Sequence, residues 1–185
     1  MKLSRFAWLL GVVAITAGGC KASKEDVMKK WKLSETQVTS FSSKYAVCKD
    51  VIVKRHKAQK GPFDTAAKGK GDVEKMKAAM KPLREVLDPI AAYERMTARI
   101  NELMSSRKVL KHKGSKVRPA LAKGRKKLAQ AAEVIAKMTE CKDAATITKT
   151  FGEANGYLKE GLDPLERLAR KGKKRKKRKK RKKRR

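Results

Sequence analysis

The stretch ITKTFGEANGYLKEGLDPLERL, residues 147–168, decides the fold class. Ile147, Phe151, Ala154, Leu158, Leu162, Leu165 and Leu168 follow one another at intervals of three and four residues. That spacing returns a side chain to the same face of an α-helix. A half-buried strand would need apolar residues at every second position, and no stretch of the chain alternates convincingly in that way.

The same periodicity recurs upstream. Leu121, Leu128 and Ile135 stand seven residues apart with Ala131 and Met138 between them, which predicts a helix over 115–142 ahead of the one over 143–170. Leu83, Val86, Leu87, Ile90, Tyr93, Ile100, Leu103 and Met104 share one face of an element that ends near 111–114. Asp72 is placed to cap a short helix ahead of this face, which Pro82 is expected to interrupt or kink, and Pro89 is expected to open a new helix after Asp88 or to act as a kink. Val38, Phe41, Tyr45, Cys48 and Ile52 predict a first helix over 34–59, opened by a capping box of Ser34 and Gln37 and closed by Gly61 and Pro62. Residues 60–71, with Gly61, Pro62, Gly69 and Gly71 among lysines, read as a polar loop. The sequence Leu-Asp-Pro occurs at 87–89 and at 162–164, and such a repeated cap is better read as coincidence than as a duplicated helix pair. Helices of this length joined by short loops predict an all-α fold, an antiparallel bundle of about four helices over 34–170.

The charge is extreme and unevenly placed. Lys and Arg number 51 against 18 Asp and Glu, a formal net charge of +33. From Arg170 to Arg185 every residue except Gly172 is basic, Lys2 and Arg5 lie near the start, and residues 20–169 keep a net +16. A field of this size collects polyanions. The run comprises Lys171, Lys173, Lys174, Arg175, Lys176, Lys177, Arg178, Lys179, Lys180, Arg181, Lys182, Lys183, Arg184 and Arg185. It holds nothing to bury and its charges repel, so residues 171–185 are expected to form a disordered tail. It also lacks the aromatic or amide side chains that read bases. Binding to nucleic acid would therefore be sequence-independent and steeply salt-dependent. The plain alternative is a solvated solubility tail.

At the other end, Lys2 and Arg5 precede an apolar run from 6 to 17, followed by Gly18, Gly19 and Cys20. This charged, apolar and small-residue order is that of a secretory signal, and the run is short for a permanent span. Ala17, Gly18, Gly19 and Cys20 resemble the lipobox of bacterial lipoprotein precursors, with Ala17 in place of the commoner leucine. The resemblance covers the first twenty residues only. It implies removal of residues 1–19, diacylglycerol on the Cys20 sulfur and acylation of the new amino terminus. Two or more acyl chains give stable membrane anchoring. Lys21 is not the aspartate that commonly retains such proteins at the inner membrane, so the expectation is a cell-envelope protein, lipid-anchored, at the outer membrane. An uncleaved anchor or a plain secretory signal are the other readings. Residues 20–33 read as a membrane-proximal linker.

Once Cys20 is assigned to the anchor, Cys48 and Cys141 remain as a pair, and an oxidising compartment favours a disulfide between them. Two reduced, buried thiols are the alternative. There is a geometric difficulty: in a helix ending near 59, Cys48 would lie about ten residues, roughly 15 Å, from the end where the turn after the third helix belongs. Either that turn docks part way along the first helix or the first helix ends earlier.

Catalytic chemistry is not legible. His56 and His112 are the only histidines, stand among cations and read as solvated surface groups. Carboxylate pairs such as Glu25 with Asp26 and Glu133 with Glu140 have no supporting pattern. Phe41, Tyr45, Tyr93 and Phe151 sit on apolar stripes and read as core. The sequence therefore predicts no enzyme, no cofactor, no metal and no small-molecule substrate. The expected partners are a membrane, through lipid, and anionic envelope polymers or lipid headgroups; a nucleic acid bound without sequence preference is the alternative.

Overall fold

In a computed structural model, which describes residues 22–110 and 117–182 with the side chains of 108 and 171–182 left out, the chain is all-α. The helices are α1 Lys24–Lys44, α2 Lys49–Ala67, α3 Val73–Ser105, the single turn α4 Arg107–Leu110, α5 Val117–Ala136 and α6 Ala144–Lys182. A short 3-10 turn, Ala46–Cys48, separates α1 from α2. The helical bundle read from the apolar stripes is present.

Its first third differs from the expected single helix. Ser23, not Ser34, opens α1: its hydroxyl accepts from the Asp26 amide at 3.2 Å while the Asp26 carboxylate accepts from the Ser23 amide at 3.3 Å. Ser34 is buried, and its hydroxyl donates to the Lys30 carbonyl one turn back at 3.0 Å. From 24 onward the expected linker over 20–33 is therefore helix, with Val27 and Trp31 in the core. The chain then turns at Tyr45 and runs back as α2, so that Trp31 stacks on Phe63 with ring centres 4.1 Å apart. What pins the corner is Tyr45, whose hydroxyl donates to Glu94 of α3 while Lys44 Nζ approaches the same carboxylate at 2.7 Å.

Pro62, expected to close the first helix, lies inside α2; Pro82 and Pro89 lie inside α3, for which a kink is one of the readings, and Pro164 lies inside α6, as the helix predicted over 143–170 requires. A helical proline strands the carbonyl four residues back. For Pro89 that is Glu85; the Thr148 hydroxyl of α6, which donates to the Ala144 carbonyl of its own helix at 3.0 Å, lies 3.5 Å from it, and Asn155 of α6 donates to the Pro89 carbonyl itself at 2.9 Å. Docking of α6 thus sets polar side chains beside the Pro89 turn, and both Leu-Asp-Pro triplets are helix interior rather than caps. The loop expected over 60–71 shrinks to the turn after Ala67, where Gly69 and Gly71 take φ of 60° and 72°. Asp72 caps α3 as expected, accepting from Glu74 and Lys75. The helix predicted over 115–142 ends at Ala136. Asp143 then opens α6 by accepting from the Thr146 amide at 2.7 Å.

The long α3 is the spine. One core cluster joins α1, α2 and the first half of α3, with Ile147 and Phe151 of α6. The other joins the second half of α3 to α4, α5 and α6. Residue pairings give the directions. α2 runs back along α1, α6 runs with α3 (Tyr93 beside Phe151, Arg99 near Glu166), and α5 runs against α6. At the α5/α6 crossing a Cβ on Gly124 would lie 3.0 Å from Leu165 Cδ1, and one on Gly161 would lie 3.5 Å from Gly124 Cα. Gly124→Val should therefore cost about 1–3 kcal/mol by overpacking. Gly152→Ala, on the same helix α6 but with nothing within 4 Å, should instead gain about 0.5–1 kcal/mol. Urea unfolding of the two variants measures the contrast, and equal effects would mean that the crossing is not tight.

The backbone of α6 continues to Lys182. Lys and Arg are good helix formers and the preceding turns already supply the nucleus. The disordered tail expected over 171–185 lies partly outside the described residues, as do the side chains of 171–182.

Candidate anchoring and polyanion sites

The ends of the described bundle matter more than any cleft in it. Lys24 Nζ donates to the Gly69 carbonyl at 2.7 Å, which places the start of α1 at the turn between α2 and α3. At the other end of α3, Leu103 packs with Val109, Val117 and Leu168 in one cluster. The chain therefore enters the bundle at the α3 amino-terminal pole and α6 leaves it at the carboxy-terminal pole. The 33 residues of α3 between them span roughly 50 Å at the helical rise. Cys20 lies outside the described residues, two positions before Ala22 at the first pole. The basic run, Lys171 onward, leaves from the second.

Cys48 and Cys141 are brought together. Cys48 sits at the corner between α1 and α2, fully buried; Cys141, half-buried in the α5–α6 connection, packs against the same cluster. The two thiols interact, and Cys48 Sγ also lies 3.6 Å from Met138 Sδ. The geometric difficulty disappears because the first helix ends at Lys44, so Cys48 is at a bundle corner rather than mid-helix. Both are free thiols in this structure, and the bond between them is proposed rather than present. Burial, then contact with Cys141, pushes the Cys48 thiol well up from its ordinary range, and burial pushes Cys141 up as well.

His56 is not the solvated surface histidine expected. Its ring stacks against Trp31 at 5.6 Å and its Nε2 lies 3.6 Å from Glu35 Oε1, too far for a hydrogen bond. His112 lies outside the described residues. Among the described residues no three His, Cys, Asp or Glu side chains gather as a metal site. The Tyr45, Glu94 and Lys44 group holds the corner. Burial first, and then the Glu94 carboxylate, raises the Tyr45 hydroxyl far above the usual phenol range, leaving it a donor. The exposed large apolar side chains Leu33, Val47 and Leu110 stand singly on separate elements. No described helix is long and apolar enough to cross a membrane.

One cationic surface was not singled out from the sequence. Arg118, Lys123, Arg125 and Lys126 on α5 are exposed and in no salt bridge with a described residue, unlike Lys127, whose Nζ meets Glu160 at 2.7 Å. The signal was present as a stretch from Arg107 to Lys127 with ten cations and no carboxylate.

These features define a class: an all-α bundle whose two chain ends emerge at opposite poles, one of them strongly cationic. No protein-family model, no curated protein and no solved structure matches the chain.

Proposed function

We propose that the protein is a non-enzymatic lipoprotein of the cell envelope, anchored through lipid on Cys20 at the outer membrane and holding anionic envelope polymers or headgroups through its basic tail. The observation that carries this is the run over 171–185, in which every residue but Gly172 is basic. Its position supports the reading: the tail leaves the pole opposite the one that Cys20 precedes. Lipid at one end and charge at the other make the second contact intramolecular, so effective concentration substitutes for high affinity at either end. Each neutralised phosphate releases a counterion, which makes the tail contact salt-sensitive while the lipid contact is not.

Deletion of 171–185 is the test, read as sedimentation with vesicles that carry lipopolysaccharide. The unlipidated chain should lose at least tenfold in retention at low salt, and the lipidated chain should keep its Cys20-dependent fractionation with membranes. Equal retention of the truncated, unlipidated chain would remove the tail from the account. An unprocessed chain without acyl groups, read by intact mass, would remove the anchor.

A further inference from the structure

We infer that the outer face of the first half of α5 is a second polyanion-binding surface, formed by Arg118, Lys123, Arg125 and Lys126, and that it works with the tail on one phosphate-bearing polymer away from the anchoring bilayer. The inference deepens the reading of the tail and rests on it. The inward face of α5 is set by Val117, Ala120, Gly124 and Ala131, which are buried. On the opposite face the exposed positions from 118 to 126 are Arg118, Pro119, Ala122, Lys123, Arg125 and Lys126, with no carboxylate before Glu133. Arg118 and Arg125 are seven residues apart, about 10.5 Å along the helix, with the two lysines beside them.

This placement is unfavourable for the isolated bundle. Cations near a helix amino terminus oppose the macrodipole, and like charges three residues apart on one helix destabilise it. The starts of α1, with Glu25 and Asp26, α2, with Asp50, and α3, with Glu74, carry acidic residues, whereas α5, like α4 and α6, has none in its first turn. The nearby carboxylates of α6 are already engaged, Glu160 with Lys127, Glu166 with Arg170 and Asp163 with Arg167. Lys123 also acts on the Glu160 carboxylate, while Arg118, Arg125 and Lys126, which form no ion pair with a described residue, are left for an external anion.

The same antiparallel pairing that sets Gly124 against Leu165 puts the start of α5 beside the last packed turns of α6, where the basic run begins. The cationic face of α5 thus lies at the pole from which the basic run continues. It lies roughly 50 Å from the entry of the chain, beyond the reach of the leaflet in which acyl chains on Cys20 would sit. The run has no apolar residue to enter a bilayer, unlike helices that lie in a membrane surface. A flexible polymer with repeating phosphates can follow the face of α5 and then surround the tail.

The test uses the full chain in detergent, long-chain inorganic polyphosphate as the probe, and the slope of log affinity against log salt. The variant Arg118→Gln/Lys123→Gln/Arg125→Gln/Lys126→Gln keeps helix propensity and should flatten the slope by about 2–3, at roughly 0.7 per phosphate lost. The charge-matched control Lys29→Gln/Lys30→Gln/Lys32→Gln/Lys49→Gln, on exposed positions of α1 and α2, should leave the slope within about one half of wild type. Arg118→Lys/Arg125→Lys should retain it. Equal flattening by α5 variant and control would show that only net charge counts and would overturn the surface, as would no flattening by either. Loss of binding to phosphatidylglycerol vesicles as large as the loss to polyphosphate would overturn the choice of polymer over bilayer. Failure of the tail reading shows separately, as unchanged polyphosphate binding after deletion of 171–185.

Discussion

Phe151→Ala should lower stability by about 3–5 kcal/mol, the largest single-residue effect expected in this bundle. Phe151 is fully buried at the junction of α1, α3 and α6. Its ring meets Tyr45 edge-on at 5.1 Å and Tyr93 at 5.7 Å, geometry that adds to simple area burial. Tyr45 in turn holds the α1–α2 corner through Glu94, so a cavity at 151 loosens the contact by which α6 reaches the first core cluster. Because the site joins three helices, little relaxation is available to close the void, which favours the upper part of the range. Urea unfolding followed by circular dichroism measures the loss. A cost under about 1 kcal/mol would mean that α6 does not dock on this corner.

The second large effect concerns Cys48 and Cys141. Oxidation to the proposed disulfide would close a loop of about 90 residues and should raise stability by on the order of 4 kcal/mol over the reduced chain in the chain-entropy description. The redox states should also differ with pH. In the reduced protein both thiols titrate higher folded than unfolded. Above the unfolded thiol value, about 8.5, the unfolded chain releases protons that the folded chain retains, so folding loses free energy as pH rises. Stability is full below that value and declines above it, by at most about 1.4 kcal/mol per pH unit for each thiol. The oxidised protein has no thiol to titrate and should be flat until tyrosine ionises near 10. Intact mass after alkylation, with and without reductant, assigns the state, and unfolding at pH 7 and 9.5 gives the two slopes. Thiols that alkylate without reduction in protein taken from the envelope would exclude the bond.

Much of the site argument was legible because charge and its absence are local properties. The basic run and the charged, apolar and small-residue order of the first twenty residues stand in sequence, and the carboxylate-free stretch from Arg107 to Lys127 stands there too, although which of its cations face outward depends on the face that α5 buries. The cysteine pair was legible by parity. Its geometry was not, because the break at Tyr45 to Cys48 carries neither glycine nor proline. Val38, Phe41, Tyr45, Cys48 and Ile52 keep helical spacing straight through it, since both arms of the hairpin bury toward the same cluster.

The sequence by itself determined that this is an all-α protein: apolar stripes at intervals of three and four residues leave few other ways to hide their surface. It also determined that one end of the chain is a polycation, because composition sets charge regardless of shape. Only the tertiary structure decided that α1 folds back as α2, that Pro62 lies within a helix rather than ending one, and that Cys48 meets Cys141. Each depends on a partner distant in the chain: Glu94 for Tyr45, Trp31 for Phe63 beside Pro62, and the α5–α6 connection for Cys48. Only the tertiary structure, through the single spine α3, put the entry of the chain and its cationic exit at opposite poles.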